Sequence, residues 1–431
     1  MLLTIKRHKM RFIQYLLLLV LPYFGSAQNV AHARKILSVL CSPEFHGRGY
    51  VNQGHLKAAI FVRREFKRAG LQSMSGEFYF QPFEISANTF PNKMQVVAGS
   101  KELQAGVDYL VAPISIGAKG RFQIVSFLPE NYNDTAQFNH FFDTDHNQHF
   151  ILVNPSAETN PDKKNLIQGM VDSNAFRARG IIELTDAKLV FAPSVWEANY
   201  TNIKVSKQSW PQQAKILRLD IDQEYQKTLN TQNVIGIIPG QIDSFVVFSA
   251  HYDHIGRMGE NIYFPGAHDN ASGTAMLIDL ANHYGSLKKK PKYNMVFIAF
   301  GAEESGLLGS KYFTENPLFE LSRIKQELNF DMLGSGDEGI TVVNGIDFAK
   351  PYAQLEDINN KKHYLPDIKP RAHAAISDQH PFFLKGVNSL YIYTRGTYKE
   401  YHNIYDTAAG LPLNGYEGVF RLVTDFVQTI N

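Results

Sequence analysis

The chain has 431 residues, 44% hydrophobic and 19% charged, with a formal net charge of +2. That length exceeds one ordinary domain of ~100–200 residues, and the composition is that of a folded chain rather than a disordered one. The near-neutral charge excludes a polybasic binder of nucleic acid or anionic membrane. The single cysteine, Cys41, excludes a disulfide framework.

The first 27 residues stand apart. Lys6, Arg7, Lys9 and Arg11 precede an apolar run from Phe12 to Leu21, and Gly25-Ser26-Ala27 supplies small residues for cleavage. This is the pattern of a secretory signal peptide at 1–27, and the run is too short to span a bilayer, which takes ~20 apolar residues. Its removal takes away four basic and no acidic side chains, leaving a net charge of −2. The expected address is periplasmic or extracellular. Cys41, in ILSVLCSPEF, is expected to be a buried small hydrophobe.

Apolar spacing predicts a helix from Asn29 to Leu40, a turn-rich SPEFHGRGY, an amphipathic helix from Gly54 to Ala69 closed by Gly70, and a strand over 78–83. Between 92 and 215 the character changes. Short β-like runs (94–97, 121–127, 150–153, 180–184) are separated by polar stretches such as ENYNDTAQFN, with a helix near 165–178. This predicts an inserted, mostly-β domain between two parts of a larger one, 28–91 and 216–431. From Asn233 onward strands (233–238, 245–249, 294–300, 328–332, 340–343, 389–393) alternate with helices (270–284, 305–314, 378–385, 413–430). The predicted fold class is α/β: a mixed, mostly parallel sheet with helices on both faces. Ligands of such sheets bind beyond the carboxyl ends of the strands.

Polar residues gather at those ends. Ser249 to Glu304 reads SAHYDHIG, then PGAHDNASGTA, then AFGAEESGLLGS, and carries His251, Asp253, Asp269, Glu303 and Glu304. Asp331 follows ELNF, and His402 lies in KEYHNIYDT. Each has an ordinary explanation when taken alone: Asp269 is placed to cap a helix, and Glu303–Glu304 to be a solvated loop pair. The small, apolar flanks of the glutamates weigh against the second, because buried carboxylates need compensating cations or protons. Carboxylates and imidazoles without thiolates suit zinc, and less specifically cobalt or manganese. Five such ligands serve two metals if one carboxylate bridges.

Together, HYD, GAHDNASG, EESGLLGS, NFDMLG, SDQHPF and a late YH resemble the M28 family of di-zinc metallopeptidases, over 37–50 and 231–407. The resemblance implies a zinc-peptidase fold, with a protease-associated-like domain in the insertion. It implies two Zn2+ per chain, with His251 and Asp331 on one, Glu304 and His402 on the other, and Asp269 bridging. It further implies Glu303 as general base, Asp253 orienting His251, and Tyr401 hydrogen-bonding the oxyanion. His268, where an aspartate is common, is expected to be a surface substitution, and His254 part of the wall. His283, His363 and His373 are expected to be ordinary surface histidines. The implied function is a secreted aminopeptidase acting on peptides with a free N-terminus, with no nucleic-acid partner, no stable membrane association, and an open oligomeric state. A glutaminyl-peptide cyclotransferase-like acyltransferase with one zinc, and a carboxypeptidase of the same family, are the alternatives. The DNASG motif speaks against the cyclotransferase.

Overall fold

The computed structural model describes residues 30–74 and 78–430, so the 1–27 segment lies outside the described residues. A nine-stranded sheet runs in the order Gln72–Ser73, Glu224–Ile238, Tyr293–Phe300, Ile242–His251, Ile324–Phe330, Ser389–Thr394, Ile340–Val343, Ile368–Arg371, with Phe80–Thr89 also paired to Glu224–Ile238. Its four middle strands, from Tyr293–Phe300 to Ser389–Thr394, are mutually parallel. Glu224–Ile238 and Ile340–Val343 flank them antiparallel, and Ile368–Arg371 pairs parallel with the latter.

Period-two alternation decides which side chains go to which face. Val246, Phe248 and Ala250 enter one core with Met295, Phe297 and Ala299. Phe245 and Val247 enter another with Val296, Ile298 and Phe300. The first core is covered by helices Val30–Leu40, Gly54–Arg68, Ser272–Gly285 and Tyr416–Thr429, all of which contribute buried residues to it. Phe313 of Leu308–Glu315 and Phe382 of Gln379–Leu384 cover the second. The mixed α/β fold with both faces covered is therefore present. Cys41 is buried and unpaired in the first core, and burial pushes its thiol up to about 12.

A second, eight-stranded sheet takes its strands from 94–221, in the order Lys101–Leu103, Met94–Ala98, Ile216–Ile221, Ala118–Phe127, His149–Val153, Gly180–Thr185, Thr201–Ser206, Tyr109–Val111. Its middle strands, from Ala118–Phe127 to Thr201–Ser206, are parallel. Parallel strands need crossovers, and two of them are helical. The polar stretch ENYNDTAQFN forms helices Pro129–Asn133 and Thr135–Asp143. The second is capped by the Asp134 carboxylate, which accepts the Gln137 amide at 2.9 Å. Phe138, Phe141 and Phe142, at helical spacing, pack under this sheet. The helix expected near 165–178 is Pro161–Asp172, begun earlier by an Asn160 cap. The helix Ala349–Lys362 has too few apolar residues to announce itself, since its buried side is only Pro351, Leu355 and Asn359.

Candidate active site

The carboxyl ends of the parallel strands bring ligand-type side chains together. His251 is the last residue of Ile242–His251, Asp331 directly follows Phe330, and Glu303 and Glu304 lie in the turn after Phe300. Asp269 sits just ahead of helix Ser272–Gly285, whose Thr274 hydroxyl donates to the His251 carbonyl at 2.9 Å. His402 comes from the irregular segment after Ser389–Thr394 and has a left-handed backbone, φ 51°.

Two ligand groups result. His251, Glu303 and Asp331 form one; His254, Asp269, Glu304 and His402 form the other, with the ligand atoms of each within 4.8 Å of one another. Asp269 faces both groups. Its Oδ1 lies 3.2 Å from His251 Nε2, and its Oδ2 lies 2.8 Å from His402 Nε2. Asp331 Oδ1 is 3.4 Å from His251 Nε2, and Glu304 Oε2 is 3.0 Å from His402 Nε2. His251 Nε2, Asp331 Oδ1 and His402 Nε2 are buried beside these neighbours without a well-directed hydrogen bond among the described residues. Buried donors and acceptors left without well-directed partners are costly, and these three all belong to the two ligand groups. A chain of imidazole and carboxylate ligands with one carboxylate between two groups fits a pair of zinc-like cations.

The surrounding hydrogen bonds orient these ligands. His251 Nδ1 is nearer the Asp253 carbonyl (3.2 Å) than the Asp253 carboxylate (3.8 Å). That carboxylate instead accepts the backbone amides of Glu303 (3.2 Å) and Glu304 (3.4 Å). Ser377 donates to Asp331 Oδ2 at 2.8 Å and accepts from Asn329 Nδ2 at 2.8 Å. Ser249 joins Asn329 Oδ1 at 3.0 Å to Glu327 Oε1 at 2.6 Å, which extends the polar line through the sheet. The ring of Tyr401, 45% exposed, stacks on His402 with centroids 3.8 Å apart.

Sequence reasoning missed several residues. His254 belongs to the site: its Nδ1 lies 2.6 Å from Glu304 Oε1, leaving Oε2 for the His402 side. His268 is not on the surface, as expected, but buried. Its Nδ1 accepts the Gly334 amide at 3.1 Å, and burial lowers it to about 4. Asp406 accepts the amides of His268 (2.9 Å) and Asp269 (3.2 Å), tying the His402 segment to the Asp269 segment. The signal was present in YHNIYDT, but its partner lies 137 residues away in sequence. Arg48, in FHGRGY, is fully buried, and its guanidinium hydrogen-bonds backbone carbonyls. Its guanidinium donates to the carbonyls of Tyr252 (3.0 Å), Leu40 (3.1 Å), Pro265 (2.6 Å) and Gly266 (2.7 Å), and reaches that of Asp269 (3.5 Å).

The electrostatics show an excess of buried negative charge. Burial, with the carboxylates of Asp378, Asp331 and Glu304, holds Glu303 well above the usual range against the pull of His251. Burial pushes Asp253 and Asp378 up to about 7. Both Asp378 oxygens are buried without hydrogen-bond partners. For His402, burial opposes protonation, but Glu304 and Asp269 prevail and raise it to about 11. Buried carboxylates that outnumber their imidazole partners call for added positive charge.

Residues 233–427 match the model of "Peptidase family M28". That segment, just under half of the 431-residue chain, is similar to peptidase family M28. Aminopeptidase YwaD of Bacillus subtilis (strain 168) is 34% identical over 166 residues, which is 37% of this chain and 34% of YwaD. The alignment thus spans about a third of that relative's length. Among solved structures, BSAP, a zinc aminopeptidase from Bacillus subtilis, superposes with a TM-score of 0.68 at 19% identity, covering 93% of this chain and 94% of that one. The Peptidase M28 precursor from Shewanella amazonensis SB2B gives a TM-score of 0.67 at 16% identity, with 94% coverage of each chain. At these identities the structural likeness concerns the fold. Among the described residues, no helix is long and apolar enough to cross a membrane.

Proposed function

We propose that the protein is an exported zinc aminopeptidase that removes N-terminal residues from peptides. The observation that carries this reading is Asp269, with one oxygen toward His251 and Asp331 and the other toward His402 and Glu304. In this reading His251, Asp331, Asp269, Glu304 and His402 hold two zinc ions. Zinc, when bound, polarises the scissile carbonyl and acidifies water. Glu303 takes a proton from the attacking water and returns it to the departing amine nitrogen, a role suited to a carboxylate whose proton affinity is raised. Asp253 fixes the backbone that carries Glu303 and Glu304, and His254 holds Glu304 in its ligating rotamer. The Tyr401 hydroxyl donates to the carbonyl oxygen as negative charge develops there. The family match and the names of the relatives support the peptidase reading. We read 1–27 as its export signal and the 92–215 segment as an inserted protease-associated-like domain.

The test is hydrolysis of a panel of N-blocked and unblocked peptides, with and without chelator, alongside metal analysis. The expected result is chelator-sensitive cleavage of unblocked peptides only, with two zinc ions per chain. Equal cleavage of blocked peptides would refute exopeptidase action at the N-terminus. One tightly held zinc with pyroglutamate as product would indicate the cyclotransferase chemistry instead.

A further inference from the structure

Of the ligands of the proposed pair, His402 lies farthest along the chain from any strand or helix, eight residues past Ser389–Thr394. Its segment nevertheless has three separate attachments to the second sheet. Ile404, two residues on, packs against the core of that sheet, which includes Leu189, Phe191 and Phe264. The fit is close: Gly106 has φ +77°, and a Cβ there would meet Ile404 Cγ2 at 3.1 Å and Ile262 Cγ2 at 3.0 Å. The Phe191 amide donates to the carbonyl of His402 itself at 3.0 Å. Phe191 is in turn buried and stacked on Phe264, centroids 5.3 Å apart and 11° between planes. Lys188 pairs with Glu400 at 2.9 Å, and Glu400 also accepts from Asn403 Nδ2 at 2.9 Å.

These contacts lie immediately before, at and after His402, and all three lead to the second sheet. We propose that the second sheet is a positioning element for His402, acting through Ile404, the Phe191 amide and Lys188. The proposal rests on the two-zinc reading for its catalytic meaning, but the brace itself is a property of the chain. A left-handed, loop-borne ligand is held in place only if its surroundings over-determine it. An exposed ion pair such as Lys188–Glu400 contributes little alone, so Ile404 and the Phe191 amide carry most of the restraint. The second sheet therefore does more than border the site: it holds His402 from one side while Asp406, on the amides of His268 and Asp269, holds the segment from the other.

Two variants test this, Ile404→Ala within the segment and Gly106→Val outside it. Hydrogen exchange of the metal-free full chain is read over 399–405, and zinc is then titrated into the same samples. The titration step missing from His402→Ala marks the His402–Glu304 group. In both variants, exchange over 399–405 should quicken about tenfold or more while 267–285 stays protected. The marked zinc step should weaken ~10–100-fold, as for other outer-sphere partners of metal ligands, with the second step unchanged. Unchanged exchange and unchanged zinc affinity in both variants would overturn the proposal. So would an equal weakening of both zinc steps, which means general destabilisation. If the unsubstituted protein takes up fewer than two zinc ions, the two-zinc reading fails, and the exchange data still decide the brace.

Discussion

Replacing Arg48 by methionine deletes the hub that holds the approach to Asp269. The guanidinium serves four carbonyls at 3.1 Å or less, those of Leu40, Tyr252, Pro265 and Gly266, and all lie in a fully buried setting. Each carbonyl left unpaired costs ~1–3 kcal/mol, so the gross loss is roughly 4–12 kcal/mol. Methionine fills much of the same space and removes a buried charge, whose desolvation had cost several kcal/mol. The expected net loss is about 4 kcal/mol, at the upper end for single substitutions. Denaturant titration of the metal-free protein measures it. Arg48→Lys, which keeps the charge but not the fork of donors, should lose a substantial part of the same stability. A loss below ~1 kcal/mol for Arg48→Met would show that the carbonyls find other partners, in the manner of buried ion pairs replaced without cost.

Glu303→Gln is nearly isosteric and should retain both zinc ions while lowering kcat by ~10²–10⁴, the usual contribution of a general base; near-native turnover with intact metal content would remove Glu303 from that role. His32 is held above its ordinary value chiefly by its 2.6 Å hydrogen bond to Asp279. Because the folded-state value is the higher one, its contribution to stability is full below the unfolded value of about 6.5 and is lost as pH rises through the folded value. His32→Gln should therefore be more destabilising in denaturant at about pH 5.5 than at about pH 9, and equal effects at both would contradict the sign.

The parts of the fold legible in the sequence were those whose pattern is local. Phe245 to Ser249 and Asn294 to Phe300 are continuous apolar runs because both faces of their strands are covered, and they stand out for that reason. His251, Glu303 and Asp331 are legible by position, as polar residues at or just after the ends of apolar strands, and Asp269 by its place just ahead of a helix. What escaped depends on partners remote in sequence. His254 looks like wall until Glu304, 50 residues on, is seen beside it. Asp406 looks like a loop residue until the amides of His268 and Asp269 are seen on it. His268 resembled a surface substitution because its neighbours in sequence are small; its burial comes from Gly334 and Tyr398. The helices Pro129–Asn133 and Thr135–Asp143 were hidden by their polar majority, since a few aromatic residues, Tyr132, Phe138, Phe141 and Phe142, pack against the core.

His251, Asp269, Glu304, Asp331 and His402 come from five separate places along the chain, and the last of them lies beyond every strand of both sheets. A chain growing from its N-terminus contains the whole set only once it reaches His402, near the end of its 431 residues. During synthesis the reactive carboxylates stay without their final partner until His402 has been made and seated. If the proposed function holds, a growing chain carries no complete ligand set, and the site is assembled only as the fold is completed. The spread of ligands across the sequence is, in this sense, a timing device.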